Sequence, residues 1–195
     1  MKKSGYGQAK ILTKEECDRL LEKGFLSNKH KALFATLLYT GCRVSEALQL
    51  RDCYVDLEGG TITFRRDTTK GKLGTRTIPV HPRLEKYLGK VIMLMPRRDD
   101  ESYFFDGNHF PPGSPYGHLS RHSADRILRN ACKRCGIKGV STHSFRRTAL
   151  TLMSNSGIPL WHIQEVSGHR DLGSLQRYLE VQPDQVIAAV GAISF

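Results

Sequence analysis

The sequence predicts a mainly α domain that carries a small antiparallel β-sheet. Helix-starting caps followed by apolar residues at three- and four-residue spacing recur along most of the chain, whereas the stretch from Tyr54 to Val80 changes to alternation around two turns. The size agrees: 195 residues, 39% hydrophobic and 25% charged, make one folded domain, long enough to bury a core without disulfides or metals.

Thr13-Lys14-Glu15-Glu16 is a capping box, with Thr at the N-cap and Glu at N3, and it opens a helix that ends near Gly24. Asn28 caps a second helix in which Leu33, Phe34, Leu37 and Leu38 share a face until Gly41. A short third helix runs from about Val44 to Leu50. Val55 and Leu57 then alternate with acids, Glu58-Gly59-Gly60 makes a turn, Thr61 to Phe64 reads as a strand and Arg76 to Val80 as its partner. The hairpin loop between them, Thr68-Thr69-Lys70-Gly71-Lys72-Leu73-Gly74, holds two Gly and two Lys. Three short strands among helices place the sheet at the edge of a helical body.

Pro82 starts a helix through about Val91, and residues 96–119 read as a Pro/Gly/Asp-rich connection. Ser120 or Ser123 caps a helix with Ile127, Leu128, Ala131, Cys132 and Cys135 on one face. Thr142 caps the next, Gly157 ends it, and Pro159 begins another to about Val166. After Gly168-His169 a further helix carries Tyr178, and Asp184 to Ala192 reads as a mildly apolar tail helix.

Lys plus Arg number 30 against 19 Asp plus Glu, a formal charge of +11. An excess of that size points to a polyanion, nucleic acid ahead of an anionic membrane surface. Residues 61–98 hold ten Lys/Arg and two Asp/Glu, while residues 141–195 hold four of each, so the excess is concentrated as a docking surface would have it. No apolar stretch approaches the roughly 18 residues of a membrane span, and Met1-Lys2-Lys3-Ser4-Gly5 leads into no signal-peptide segment. A cytoplasmic protein with no membrane partner is expected, its five Cys reduced.

Several isolated signals carry little. Cys132-x-x-Cys135 lacks a second Cys or His pair and lies on an apolar helix face, so packing outweighs metal binding. Asp99-Asp100-Glu101 adjoins Arg97-Arg98 and reads as a solvated loop rather than a Mg²⁺ site. Trp161, near Ile163 and Val166, reads as core rather than as a stacking platform. His143-x-x-Arg146 has a second copy in His118-x-x-Arg121, so that pattern alone decides nothing.

The ordered set is more informative: Thr40-Gly41-Cys42-Arg43-Val44-Ser45-Glu46 after a helix, Lys70 in a hairpin turn, His143-Ser144-Phe145-Arg146, Gly168-His169, and Tyr178 nine residues later. Over about residues 13–190 this resembles the tyrosine recombinase (phage integrase) family, whose catalytic domain carries a T-G-x-R-x-S-E segment, a hairpin Lys, H-x-x-R, a G-H pair and a Tyr nucleophile. The resemblance implies that family's catalytic-domain fold, a site-specific DNA recombinase activity needing no metal, ATP or other cofactor, and a catalytic set of Arg43, Lys70, His143, Arg146, His169 and Tyr178. It also implies double-stranded DNA as partner, a DNA-associated location, and self-association on DNA into a tetrameric synapse, with the chain alone a monomer.

The chemistry of that set is coherent. Cleaving a phosphodiester without a metal needs cationic donors on the non-bridging oxygens, which the guanidinium forks of Arg43 and Arg146 supply, with His143 and His169 adding hydrogen bonds. The resemblance implies Tyr178 as the nucleophile, Lys70 as the general acid for the departing 5′-hydroxyl, and His143 as the proton acceptor for Tyr178. Lys72 competes with Lys70, and the family's Lys-Gly pair favours Lys70, leaving Lys72 as a phosphate contact with Arg65, Arg66 and Arg76. Phe145, Arg147 and Ser167 stand where the family more often has Leu, His and Leu.

Only about a dozen residues precede the first helix, so an isolated or single-domain catalytic unit, 1–195, without the family's N-terminal core-binding domain is expected. The rivals are a type IB topoisomerase-like enzyme and a DNA-binding module without activity. A metal-dependent nuclease ranks last, having no carboxylate constellation.

Overall fold

The computed structural model describes residues 9–65, 74–94, 99–179, 186–187 and 190–191. Its first helix, α1 (Lys14–Arg19), starts at the expected capping box: Thr13 Oγ1 accepts from the Glu16 amide and the Glu16 carboxylate accepts from the Thr13 amide. The helix widens into a π-helical turn over Leu20–Gly24 that buries Leu20 and Leu21. The second helix, α2 (Asn28–Thr40), is capped by Ser27 rather than Asn28, because it is Ser27 that keeps the extended backbone of a cap and accepts from the His30 amide at 3.2 Å.

Burial on α2 extends well beyond one face. Ala32, Leu33, Phe34, Ala35, Leu37 and Leu38 are all buried, the pattern of a helix surrounded by others. Phe34 stacks on Phe25 with ring centroids 4.3 Å apart and meets Phe145 at 5.2 Å. Two helices pack along α2: α4 (Pro82–Ile92), which begins with the expected Pro, and α6 (Thr142–Asn155). The N-cap of α6 is Ser141, one residue before the expected Thr142 and again the residue with the extended backbone; its amide donates to Ser144 Oγ at 3.1 Å.

Between α3 (Val44–Leu48) and α4 lies the three-stranded antiparallel sheet, β1 (Val55–Asp56), β2 (Thr61–Phe64) and β3 (Arg76–Pro79), in that order. Ile62 pairs with Ile78 and Phe64 with Arg76. Ile62, Phe64 and Ile78 join the core, while Thr63 and Thr77 place their hydroxyls 2.8 Å apart on the outer face, as alternation requires.

The stretch expected to be a plain connection is partly ordered on the core. Tyr103, Phe104 and Phe105 are buried, the Phe104 amide donates to the Leu50 carbonyl at 2.8 Å, and β4 (Asp106–His109) bridges to His118. Three consecutive aromatics match neither the strand nor the helix period, which hides them from pattern reading. In the neighbouring acidic run, Asp99 accepts from the Tyr116 hydroxyl and Glu101 pairs with Arg51 at 2.9 Å.

The C-terminal third is built from α5 (Arg121–Cys135), capped by Ser120, then α6, α7 (Leu160–Ser167) and α8 (Leu172–Gln176). Helix α8 is short and Tyr178 follows it in a turn, a correction to the expectation that the helix carries it. Trp161 is 64% exposed instead of core, because Ile163, two residues on and about 200° around the helix, is the residue that turns inward. Of the expected tail helix only residues 186–187 and 190–191 are described, and these are helical. The thiols of all five Cys are free. Among the described residues no helix is long and apolar enough to cross a membrane. The architecture is thus the expected mainly α body with a small antiparallel sheet.

Candidate active site

Arg43 stands at the N-cap of α3, immediately after the Gly41-Cys42 turn. Gly41 closes α2 with φ of +60°, a left-handed conformation that favours Gly. The Arg43 amide donates to Glu46 Oε2 at 2.7 Å, and its guanidinium reaches Glu46 Oε1 at 3.0 Å and the Gly168 carbonyl at 3.2 Å. The Glu46 carboxylate is fully buried. Burial alone would raise its pKa, but hydrogen bonds and charge from Arg76, with those of Arg43, outweigh that and hold it below the usual carboxylate range.

Arg76 is therefore not where an exposed phosphate contact would be. Its guanidinium bonds Glu46 Oε2 at 2.8 Å and the Val166 carbonyl at 3.0 Å and lies 4.7 Å from the Phe64 ring centroid. Gly168, at φ of +64°, leaves it room: a Cβ there would sit 2.7 Å from Arg76 Nη1. The expected DNA contact is a brace joining β3 to α3 and to the end of α7, drawn inward by the buried Glu46 charge.

Arg146, on α6, is 1% exposed. Nη1 donates to the carbonyls of Gly41 at 2.6 Å and Ser167 at 2.9 Å, and Nη2 lies 3.0 Å from Nε2 and 3.2 Å from Nδ1 of His169. Burial, followed by the charge of Arg43, pushes its pKa down to about 10. Its Nε, also buried, has no hydrogen-bond partner among the described residues. His169 is itself buried, and that burial with the charges of Arg146 and Arg43 pushes its pKa down to about 3, leaving the imidazole neutral near pH 7.

The Tyr178 ring centroid lies 5.1 Å from that of His169 and 5.6 Å from Arg146 Cζ. The backbone holds it there: the Tyr178 amide donates to the Leu175 carbonyl at 2.9 Å, and its own carbonyl accepts from Thr151 Oγ1 at 3.2 Å. Beneath it is a small apolar cluster, Leu150, Ile163 and Leu175, separate from the main core.

His143 occupies the first turn of α6, three residues and thus about one turn before Arg146. Desolvation, then the positive charges of Arg121 and Arg146, push its pKa below the usual imidazole value. Arg121, the residue of the discounted His118-x-x-Arg121 pattern, thus belongs to this neighbourhood, and nothing in its spacing signalled it. The structure gathers Arg43, Arg146, His169 and Tyr178, with His143 on the same helix as Arg146. Lys70, Lys72 and Arg66 lie outside the described residues. Arg65 is on the surface beyond β2, where it donates to the Tyr54 hydroxyl at 2.8 Å.

The model of the phage integrase family matches residues 10–185. The chain belongs to the phage integrase family. Among similar proteins, this family member is 31% identical over 183 residues to tyrosine recombinase XerC of Oceanobacillus iheyensis, covering 90% of this chain and 58% of the relative. It is 34% identical over 183 residues to tyrosine recombinase XerA of Pyrococcus furiosus, covering 93% and 60%. It therefore spans about three-fifths of the length of those curated relatives. Among solved structures, the integrase-family fold is shared with XerA recombinase (TM-score 0.77, 23% identity, 100% of this chain and 68% of that one). It is shared as well with the XerH site-specific recombinase bound to its difH substrate (TM-score 0.70, 21% identity, 93% and 53%).

Proposed function

We propose that this chain cleaves and rejoins double-stranded DNA at specific sites through a covalent link to Tyr178. The observation that carries the reading is the Tyr178 ring set against the buried Arg146 and His169, a nucleophile beside a preorganised cation. An unpartnered buried N–H such as Arg146 Nε costs about 1–3 kcal/mol, a demand that an anionic oxygen would meet.

In the proposed step Tyr178 Oη bonds to phosphorus and the phosphorus–O5′ bond breaks, leaving a 3′-phosphotyrosine and a 5′-hydroxyl. The phenolic proton passes to His143, and the departing O5′ takes a proton from Lys70. Arg43 and Arg146 offset charge on the non-bridging oxygens. The phenol is a good leaving group, so the 5′-hydroxyl of another strand reverses the step without ATP. Arg65, Arg66 and Lys72 serve as sequence-independent phosphate contacts. Copies of the chain assemble on DNA as a tetrameric synapse while the free chain is a monomer. The charge of +11 supports DNA as the partner, as does the XerH relative bound to its own difH substrate.

The test is a nicked DNA substrate that traps the cleaved strand, incubated with the chain in EDTA across a panel of recombination sites. A protein–DNA adduct stable to denaturation, and lost in Tyr178→Phe, is expected. No adduct on any site, or adduct formation only with Mg²⁺, would overturn the proposal, and relaxation of supercoils without site preference would reassign the chain to type IB topoisomerase chemistry.

A further inference from the structure

The fully buried Glu46 carboxylate accepts from two arginines at once. Arg76 meets it with both ends of its fork, Nη2 to Oε2 at 2.8 Å and Nη1 to Oε1 at 3.3 Å. Arg43 brings its amide to Oε2 at 2.7 Å and Nη1 to Oε1 at 3.0 Å. Those four donors fill the roughly four acceptor positions of an ionised carboxylate. The bidentate Arg76 pair sets the plane of the carboxylate, and that plane sets where Arg43 Nη1 rests.

The two arginines differ in what else holds them. Arg76 is anchored on two further sides, by the Val166 carbonyl and the Phe64 ring, and its side chain is only 10% exposed. The Arg43 side chain is 23% exposed, and among the described residues its Nε and Nη2 form no hydrogen bond, so one edge of the guanidinium is open to a ligand. Without Arg76 the buried Glu46 charge would keep Arg43 as its one hydrogen-bonded cation. Both ways of easing that move Arg43: the carboxylate draws the guanidinium further onto itself, or it takes up a proton and loosens its hold.

We infer that Arg76 is a positioning residue that acts through Glu46: it fixes the carboxylate that aims Arg43, and so keeps the open edge of Arg43 available to a non-bridging phosphate oxygen. The use made of Arg43 rests on the DNA-cleavage reading, and the link from Arg76 through Glu46 to Arg43 rests on geometry alone.

The experiment compares the wild-type chain with Arg76→Met, Arg76→Lys, Glu46→Gln and the double variants, reading the single-turnover rate of adduct formation at saturating nicked DNA beside DNA affinity and its salt dependence. Arg76→Met should slow adduct formation roughly ten- to hundredfold, the effect of losing a charge-assisted hydrogen bond, with affinity and salt slope unchanged. Arg76→Lys, which keeps the charge without the fork, should recover only part of the rate. In the Glu46→Gln background either substitution should slow the reaction no further, because the carboxylate through which Arg76 acts is gone. If Arg76→Met does not fold, Arg76→Lys alone and with Glu46→Gln carries the same comparison. An unchanged rate, a loss confined to affinity with a flatter salt slope, or full additivity with Glu46→Gln would each overturn the inference.

A second readout needs no DNA. The charge of Glu46 is opposed by Arg76 and Arg43 and also acts on Arg146 and His169. The carboxyl ¹³C signal of Glu46, assigned by its loss in Glu46→Gln, should titrate at higher pH in the Arg76 variants than in the wild type, and an unchanged titration would equally overturn the link. A wild-type chain that forms no adduct on any site would count against the DNA-cleavage reading, and the carbon titration would still decide whether Arg76 governs Glu46.

Discussion

The helical body that holds Arg43 and Arg146 and the short C-terminal segment that holds Tyr178 are stabilised on different scales. A continuous core running from Leu12 to Phe145 supports the first, and a cluster of Leu150, Ile163 and Leu175 supports the second. Arg146 is held through two carbonyls and an imidazole, whereas the Tyr178 backbone rests on one turn bond and one threonine hydroxyl. The difference teaches how labour is divided on the proposed reading. On that reading the charge-stabilising groups would be preorganised, which is what makes such groups effective, while the nucleophile would sit on the element with the smaller apolar support, the kind that opens first.

Breaking the large core should have the greatest effect. Phe34→Ala removes a ring packed between Phe25 and Phe145 and should cost about 3–5 kcal/mol in urea unfolding; a loss under about 1 kcal/mol would erase the contrast. Leu175→Ala should cost about 2 kcal/mol, and locally. Hydrogen exchange should quicken over residues 172–179 while α2 keeps its protection. Loss of protection in both would mean that the two regions are one cooperative unit.

The buried His169 sharpens the comparison through pH. Its folded pKa of about 3 lies below the ordinary value of 6.5, so between those values the unfolded chain binds the extra proton. The stabilising effect is complete above pH 6.5 and is lost as pH falls toward 3, at roughly 1.4 kcal/mol per pH unit. Urea midpoints from pH 7 to 5 should therefore fall more steeply for the wild type than for His169→Asn; equal slopes would place the imidazole in solvent. The smallest effect belongs to Thr151→Val, which removes the hydroxyl bonded to the Tyr178 carbonyl. It should cost about 1 kcal/mol, read as faster exchange at Tyr178 and Leu179, and an unchanged rate would remove that tie from the account.

Much of the body was legible because its signals are local. The Thr13 capping box, the Pro82 helix start and the Ile62 and Phe64 alternation act over a few residues, and each appears where expected. What the sequence hid depends on distant partners. Arg76 reads as a surface charge until Glu46, thirty residues away, turns it inward. Tyr103-Phe104-Phe105 has no period, and Trp161 looks like core until Ile163 takes the inward position. In the candidate site, the spacing of Gly168-His169 from Tyr178 is readable, but the Ser167 contact to His169 Nδ1 is a matter of ångströms.

The most direct measurement is to map the trapped DNA adduct by mass. Residues 178–195 contain no Lys or Arg, so tryptic cleavage after Arg177 leaves all of them on one peptide that begins at Tyr178. That peptide should carry a nucleotide 3′-phosphate on Tyr178 after reaction in EDTA. Attachment to any other residue, or an unmodified 178–195 peptide from an isolated adduct, would contradict the account.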